Sequence, residues 1–485
     1  MKKILHTIVL LSLLGLSNSC ENFLDAPYDN RVEITELEDV NMLLANAYPM
    51  RADVFTEIMT DNFHHYATTM QASNGATYIP IYNWEDEYSD AIATATPTHA
   101  YSHYYRKIYE ANLAIEQLNL STAGEPVWKD ALMGEALVLR AYSYFSLVNL
   151  FSLHYNEERN ATNLGVPLIL EVPKENRELY NRATVKDVYD QIELDVQEGL
   201  SLLQRGGTYI PNTPYRFSLA SVYAFLSRIN LYKENWDETV RYADLVVQDR
   251  GLVVRDMSED VARRLSATEA FWAQEIMNPS IHLNLLLVNQ TNEFLCRPFG
   301  YRLGGFYLAH NVFYTTPAQD YRTHQFSSGG TVIDSVALVV KYANQPNNPN
   351  AAQARYDCFT MEEVLLNRAE ANLKKSSPDI ERAMADIEVI RRQRFAIANY
   401  APLSVPASVA DAITAVLSER KLELIGQGYR WYDIKRLGIE IEHRLVRTDP
   451  RTANILLPND LRTAIQIPIQ ARLGNPLLEN QLNPR

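Results

Sequence analysis

The 485-residue sequence predicts a mostly α protein, built as a scaffold of paired helices with an irregular, loop-rich lobe. Three observations predict it. Helix-period apolar runs recur along the chain, and several come as neighbours joined by short polar turns. Two of these pairs are about 30 residues long, roughly the size of a tetratricopeptide unit. Between the helical blocks, residues 50–97 and 251–359 lose the helical period and are rich in Asn, Thr, Tyr, Gly and Pro.

The first helical pattern runs from Thr98 to Leu118. In GEALVLRAYSYFSLVNLF (134–151), Leu137, Ala141, Tyr144, Val148 and Phe151 recur at four- and three-residue steps, which places them on one helical face. A further pattern covers Val185 to Leu203. RFSLASVYAFLSRINLYKENWDETVRYADLVV (216–247) reads as two helices around a turn at Lys233–Asn235. Ser218 and Asn235 are the candidate caps, and Asp237 and Glu238 suit the positive end of the second helix. The small Ser227 and Ala243 stand where two antiparallel helices must approach closely. MEEVLLNRAEANLKKSSPDIERAMADIEVIRRQR (361–394) is a second pair, punctuated by Ser377, Pro378 and Asp379. A last pattern spans Val409 to Ile425. Stacked pairs bury a continuous core that no single pair could bury, so 98–250 and 360–440 are expected to form one scaffold. The lobe contributes strand-like runs such as HLNLLLV and TVIDSVALVV. Loops of this length inside a compact protein are usually functional or disordered, and the aromatics here favour function.

The chain begins MKKILHTIVLLSLLGLSNSCENFLD. Lys2 and Lys3 precede about a dozen mostly apolar residues, a secretory signal rather than a span needing roughly 20 residues. Ser17, Asn18 and Ser19 lead into Cys20, with Leu16 four places before it. The pattern resembles a bacterial lipobox, in which the cysteine is acylated and residues 1–19 are removed. The mature body, 20–485, would then sit on a lipid tether worth about 0.8 kcal/mol per buried methylene.

Composition excludes several classes. Lys plus Arg is 45 against Asp plus Glu 59, a net charge of −14, and losing Lys2 and Lys3 leaves 43 against 59, or −16. That sign argues against nucleic-acid binding as the main task. With three cysteines in all, this is not a disulfide scaffold; Cys296 and Cys358 remain beside Cys20, and their pairing stays open. No CxxC, HExxH, GxSxG or P-loop pattern occurs, and no cofactor is implied.

Glu135, Arg140, Arg228, Arg368, Glu370, Glu419, Arg420 and Arg430 form a conspicuous charged set. Charges spaced along helices usually make inter-helix ion pairs, and these are read as fold-making. Gly426 and Gly428 are read as ending a helix through left-handed backbone. In DNFHHY, Asp61, His64 and His65 could suggest a metal, but adjacent histidines in an extended segment face opposite sides and no second ligand cluster follows. Glu85, Asp86 and Glu87 read as a solvated turn. No catalytic residue and no metal site is assigned.

Binding asks less of the sequence. A sugar ring has an apolar C–H face and a polar rim, so flat aromatic rings supply stacking area while Asn, Gln, Asp and Arg supply directional hydrogen bonds. YIPIYNWEDEY (78–88) offers Tyr78, Tyr82, Trp84 and Tyr88; CRPFGYRLGGFY (296–307) adds Phe299, Tyr301 and Tyr307; Trp272 stands in AFWAQE. Of these, Trp84, Tyr82, Tyr88, Tyr78, Trp272, Phe299 and Tyr301 are the expected ligand-binding residues.

The ordered landmarks resemble a known family. CENFLD after the lipobox-like start, YYRKIYEANLAIEQL, GEALVLRAYSYFSLVNLF, GVPL, RATVKDVYDQIELDVQEGL, RFSLASVYAFLSRINLYKENW, VLLNRAEANL, SERKLELIGQGYRWYDIKRLG and IPIQARLGNPLLENQLNP together resemble the SusD/RagB family of outer-membrane lipoproteins of Bacteroidetes. The resemblance implies four tetratricopeptide-like helix pairs, a ligand site in the irregular lobe, and a non-enzymatic role. It further implies display at the outer membrane and delivery of oligosaccharides, or of peptides in some branches, to a SusC-like TonB-dependent transporter. A helical-repeat scaffold for protein partners is the competing class. Replacing Cys20 by Ala is expected to release the protein from the membrane fraction; unchanged membrane retention in fractionated cells would refute the anchor.

Overall fold

The pairing of helix-period runs is realised in the computed structural model, which describes residues 36–65, 72–90, 95–122, 124–174, 178–211, 213–258, 286–290, 306–308, 317, 319–327, 338–339, 354–445 and 449–485. Helices α1 (Leu37–Ala47) and α2 (Ala72–Tyr82) precede a long hairpin of α3 (Pro97–Leu120) and α4 (Pro126–Phe151). Helix α5 (Val185–Gly206) packs back on α4. The pairs α6 (Leu219–Tyr232) with α7 (Trp236–Arg250) and α8 (Met361–Lys374) with α9 (Ile380–Arg392) follow. Then come α10 (Val409–Glu423), α11 (Tyr429–Leu437) and the short α12 (Ile469–Gly474).

Strands β1 (Phe63–His65), β2 (Leu286–Gln290), β3 (Phe306–Leu308), β4 (Phe326–Ser327), β5 (Leu338–Val339), β6 (Ala354–Phe359), β7 (Ile441–Leu445) and β8 (Asp449–Leu456) are minor elements. One sheet has the order β3-β1-β7-β8. In it β1 is antiparallel to β3 and parallel to β7 through His65 and Leu445, and β7 and β8 are antiparallel. β2 pairs with β6, and β4 with β5.

Helix α4 is buried more completely than one apolar face requires. From Gly134 to Phe151 only Tyr142 is not buried, so the five residues read as its core face are part of an all-round interior. The reason is enclosure by α3 and α5 together. A helix buried on all sides is hydrophobic all round. Close approach to α5 is set by two glycines: a Cβ on Gly134 would lie 2.7 Å from the Gly199 carbonyl oxygen, and one on Gly199 2.8 Å from that of Gly134. No side chain fits at that crossing.

The 216–247 unit forms as expected, with Ser227 Oγ donating to the Thr239 carbonyl at 3.3 Å and Ala243 fully buried. Ser218 caps α6 by accepting from Ser221 N. Asn235 occupies the cap position of α7 but makes no side-chain cap bond. Asp379 caps α9 by accepting from Arg382 N. Gly426 and Gly428 have φ of 75° and 73°, and Gly428 also opens α11.

Every member of the charged set sits in an ion pair. Arg140 meets Asp195 at 2.7 Å, Arg228 meets Glu363 at 2.6 Å, and Arg368 bridges Asp386 and Asp244 at 2.6 and 2.7 Å. Glu370 accepts from Arg436 at 2.6 Å, and Arg420 meets Asp433 at 2.9 Å. Glu419 pairs with Arg322 and Arg391, Glu135 with Arg216, and Arg430 with Asp61.

Residues 50–97 differ from the loop-rich expectation. The stretch holds α2 and a 3-10 turn, Val54–Met59, all of whose residues are buried. Pro80 lies inside α2, although proline lacks the N–H a helix interior uses. It sits near the helix end, where burial of Tyr78, Ile81 and Tyr82 outweighs that loss. Cys358 is a free buried thiol whose Sγ lies 3.2 Å from the Tyr142 hydroxyl, and burial pushes its pKa up to about 11.

Replacing Glu370 by Leu leaves the fully buried Arg436 with Asp433 alone. We expect a loss of about 3–5 kcal/mol, measured by urea unfolding; a change below about 1 kcal/mol would contradict the role given to this pair.

Candidate ligand-binding site

The YIPIYNW stretch ends α2 and turns sharply. Asn83 N donates to the Ile79 carbonyl at 3.0 Å, and Trp84 N to that of Ile81 at 3.1 Å. Trp84 adopts φ 58°, a left-handed value that bulky residues rarely take. Its indole Nε1 donates to the Met59 carbonyl at 3.0 Å, which holds the ring in place.

From β7, His443 enters this corner and is sandwiched. Its ring lies 4.0 Å from Tyr82 at 5° and 4.3 Å from Trp84 at 21°. Phe306 on β3 stands 5.1 Å from Tyr82, and the Arg462 guanidinium carbon 5.7 Å over Trp84. The result is a ladder of rings running from the sheet to a surface arginine. Both imidazole nitrogens face carbonyl oxygens, Nδ1 with Tyr82 at 2.7 Å and Nε2 with Thr60 at 2.9 Å. A neutral ring can donate to only one of them. Burial pulls the His443 pKa down to about 4, against the two carbonyls, which favour the proton.

The outer end of the ladder opens into a shallow depression lined by Trp84, Asp86, Tyr88, Arg462, Gln466 and Arg485. Arg462 is held by Asp460 at 2.7 Å and by the Ile455 carbonyl at 2.5 Å. Asp86 forms an ion pair with Arg485 at the C-terminus. Tyr88 shares its hydroxyl with Thr98 Oγ1 at 2.8 Å, and burial raises its pKa. Guanidinium donors, a carboxylate and an amide thus ring an indole edge, an arrangement that suits a hydroxyl-bearing ligand.

The structure divides the expected binding residues. Trp84 and Tyr88 line the depression, whereas Tyr78 and Tyr82 lie beneath it, 3% and 0% exposed. At i and i+4 on one helix, these two tyrosines point the same way, and here that way is the core. Trp84 is itself only 4% exposed, so both its faces serve packing. Cys20, Trp272, Cys296, Phe299 and Tyr301 lie outside the described residues. Sequence reasoning missed Arg462, Gln466 and Arg485, which arrive from a segment more than 370 residues away and carry no local signal beyond their polarity.

Asp61 is fully engaged by other partners. Arg430 and Lys421 hold its carboxylate well below the usual range, at 2.8 and 2.7 Å, despite burial. His64 and His65 face different surroundings, 6.4 Å from His443 and 5.0 Å from Phe306. Among the described residues no group of three or more His, Cys, Asp or Glu side chains is placed to hold a metal. Glu85, Asp86 and Glu87 are exposed, as a turn would be.

Two family profiles match the chain, one described as starch-binding associating with outer membrane over residues 22–231, the other as the SusD family over 308–471. The chain belongs to the SusD family. It is 22% identical to the SusD-like protein P38 of Formosa agariphila, across 91% of this chain and 92% of that protein. Its fold is similar to a SusD superfamily protein of Bacteroides thetaiotaomicron, with TM-score 0.75, 20% identity, and 93% and 100% of the two chains covered. It is also similar to a SusD-like carbohydrate binding protein of Bacteroides vulgatus, with TM-score 0.68, 16% identity, and 93% and 98% covered.

In this SusD-family chain the ladder is proton-sensitive. His443 binds a proton near 6.5 when unfolded and near 4 when folded, so between those values the unfolded state holds more protons and stability rises with pH. His65, His103 and His154 are pulled by burial in the same direction, to about 4, 3 and 3. The melting temperature is therefore expected to fall as pH drops from 6.5 towards 4, and His443→Gln to make that fall shallower; an identical slope in differential scanning fluorimetry would remove His443 from the account.

Proposed function

We propose that this SusD-family chain is a lipid-anchored protein of the cell surface that captures an oligosaccharide without altering it and passes it to a SusC-like TonB-dependent transporter. The observation that carries this reading is the match over residues 22–231 to a family described as starch-binding and associating with the outer membrane. The depression at the end of the ladder supports it chemically. Tyr88 and the edge of Trp84 supply apolar area for a sugar face; Trp272, Phe299 and Tyr301, outside the described residues, are proposed as further ligand contacts. Arg462, Asp86, Gln466 and Arg485 supply hydrogen bonds to its hydroxyls. Tyr82 acts from below by fixing His443 and hence Trp84.

Among the described residues no helix is long and apolar enough to cross a membrane. Membrane attachment is assigned to acylated Cys20 on the strength of the lipobox-like stretch before it. Ring stacking adds about 0.5–1.5 kcal/mol per pair beyond burial, and ordering a flexible sugar offsets much of it. Modest affinity follows, which suits handover.

Arg462→Ala removes the guanidinium over Trp84. Isothermal titration with a panel of maltoheptaose, cellohexaose, xylohexaose and mannohexaose is expected to show one binder for the wild type, weakened about tenfold in the variant, with no change in the glycan recovered. Binding of peptides and of no panel glycan would move the protein to the peptide branch; release of shorter glycans would make it a hydrolase.

A further inference from the structure

Residues 167–174 cross the outside of the helical scaffold, far in sequence from the ladder residues, with 178–180 beside them. The 167–174 segment is held firmly there. Tyr144 Oη donates to the Ile169 carbonyl at 2.8 Å, Asn112 Nδ2 donates to the same oxygen at 2.8 Å, and Arg140 Nη1 donates to the Leu170 carbonyl at 3.1 Å. Arg140 is itself fixed by Asp195. Between this segment, the start of α3 and the C-terminal α12 lies a cleft of about 320 Å³.

The walls of the cleft include Tyr101, Tyr105, Pro167, Pro173, Tyr180 and Leu478. Tyr101 and Tyr105 pack 4.7 Å apart, and the Tyr105 hydroxyl donates to the Pro167 carbonyl at 2.9 Å. Their hydroxyls are thus turned to the protein while ring area lines the cleft. Tyr180, on the opposite side, is only partly buried. Asn475 contributes the specific polar feature. Its Nδ2 donates to the Tyr180 carbonyl at 2.6 Å, but its Oδ1 is buried without a hydrogen-bond partner. A buried acceptor left unpaired carries a desolvation penalty, which a donor entering the cleft would relieve. The Glu178 carboxylate stands at the same cleft and receives the Tyr180 hydroxyl.

Beyond Ile169, Glu178 and Tyr180 the cleft continues as a second hollow of about 330 Å³, past Leu170 and towards Lys174. Two hollows sharing three residues make an elongated groove, longer than a single small ring needs. Apolar rings, one unpaired amide acceptor and charges at the far end match a chain of hydroxyl-bearing rings. An aliphatic or aromatic ligand would leave Asn475 Oδ1 unpaired.

We propose that this groove is a second saccharide-binding site, on the scaffold and separate from the depression at Trp84. The choice of a saccharide rests on the function proposed above; the groove itself does not. A ring would stack on Tyr180 with one hydroxyl donating to Asn475 Oδ1 and another to Glu178.

The test uses two variants of the full chain with the same four-glycan panel. Tyr180→Ala removes a partly exposed platform, and Ala471→Phe fills the cleft from α12 without deleting a contact. Each is expected to weaken the bound glycan's second, Arg462-independent site about tenfold, the scale of one stacked ring, and to leave the melting temperature within a few degrees. A one-site isotherm unaffected by both variants but weakened by Arg462→Ala overturns the second site and leaves the proposed function standing. No binding of any glycan by the wild type overturns the proposed function and the saccharide assignment together. Should Ala471→Phe lower the melting temperature strongly, Tyr180→Ala alone decides.

Discussion

Helix α8 carries the constraint on which the scaffold depends. All of its residues from Met361 to Leu373 are buried, and they include Glu362, Glu363, Arg368 and Glu370. An unpaired buried charge is far costlier than any packing gain from one residue, so each must meet a partner of opposite sign. The partners lie on different neighbours. Glu363 takes Arg228 of α6, Arg368 takes Asp386 of α9 and Asp244 of α7, and Glu370 takes Arg436 of α11. Asn367 adds a 2.7 Å bond from Arg420 of α10. One helix therefore dictates where five others stand, and misplacing any of them leaves a charge in the interior without compensation.

The same logic fastens the peripheral segments. Arg322, fully buried, pairs with Asp320, Glu419 and Glu423, tying residues 320–323 to α10. Arg394 pairs with Glu362 and Glu423 and links α8 to α10 from the other end of α9. Where no carboxylate is available, carbonyls serve. Lys435 of α11 donates to the carbonyls of Asn149, at 2.6 Å, and Ser152. These lie at the C-terminal end of α4, where the helix dipole favours a cation. Burial nonetheless pulls the Lys435 pKa down to about 7. Arg182 binds the Gln481 carbonyl at 2.7 Å and Asn483 Oδ1 at 2.8 Å, so the chain end is bolted to the loop before α5. That anchoring brings Arg462, Gln466 and Arg485 beside Trp84, and α12 beside Tyr105.

Rigidity of this kind bears on ligand capture. A depression whose aromatic floor is already stacked, and whose arginines are already oriented by Asp460 and Asp86, loses little freedom when a ligand arrives. Pre-organisation of that sort lowers the entropic cost of binding a flexible chain. The groove beside 167–174 is built the same way, with its wall bonded to α3 and α4. A body that holds such surfaces fixed is suited to the ligand capture proposed for it.

Local pattern alone determined the long scaffold helices, because an apolar stripe at 3.6-residue spacing has one stable use. The pairs at 216–247 and 361–394, the Ser218 cap, the turn at Ser377–Asp379, the left-handed glycines 426 and 428, and the structural role of charges such as Arg228 and Glu370 were all legible in this way. The helix at 72–82 was not, because Pro80 masks it and only the burial of its neighbours supports it. Nor was the fate of Tyr78, Tyr82 and Trp84, since an aromatic ring is equally suited to a core and to a sugar face. For Tyr82 and Trp84 that choice was made by His443, 361 residues after Tyr82, whose ring fills the space between them. The unpaired oxygen of Asn475 is likewise a product of tertiary packing: its environment is assembled from three distant segments, and a sequence records the residue but not what surrounds it.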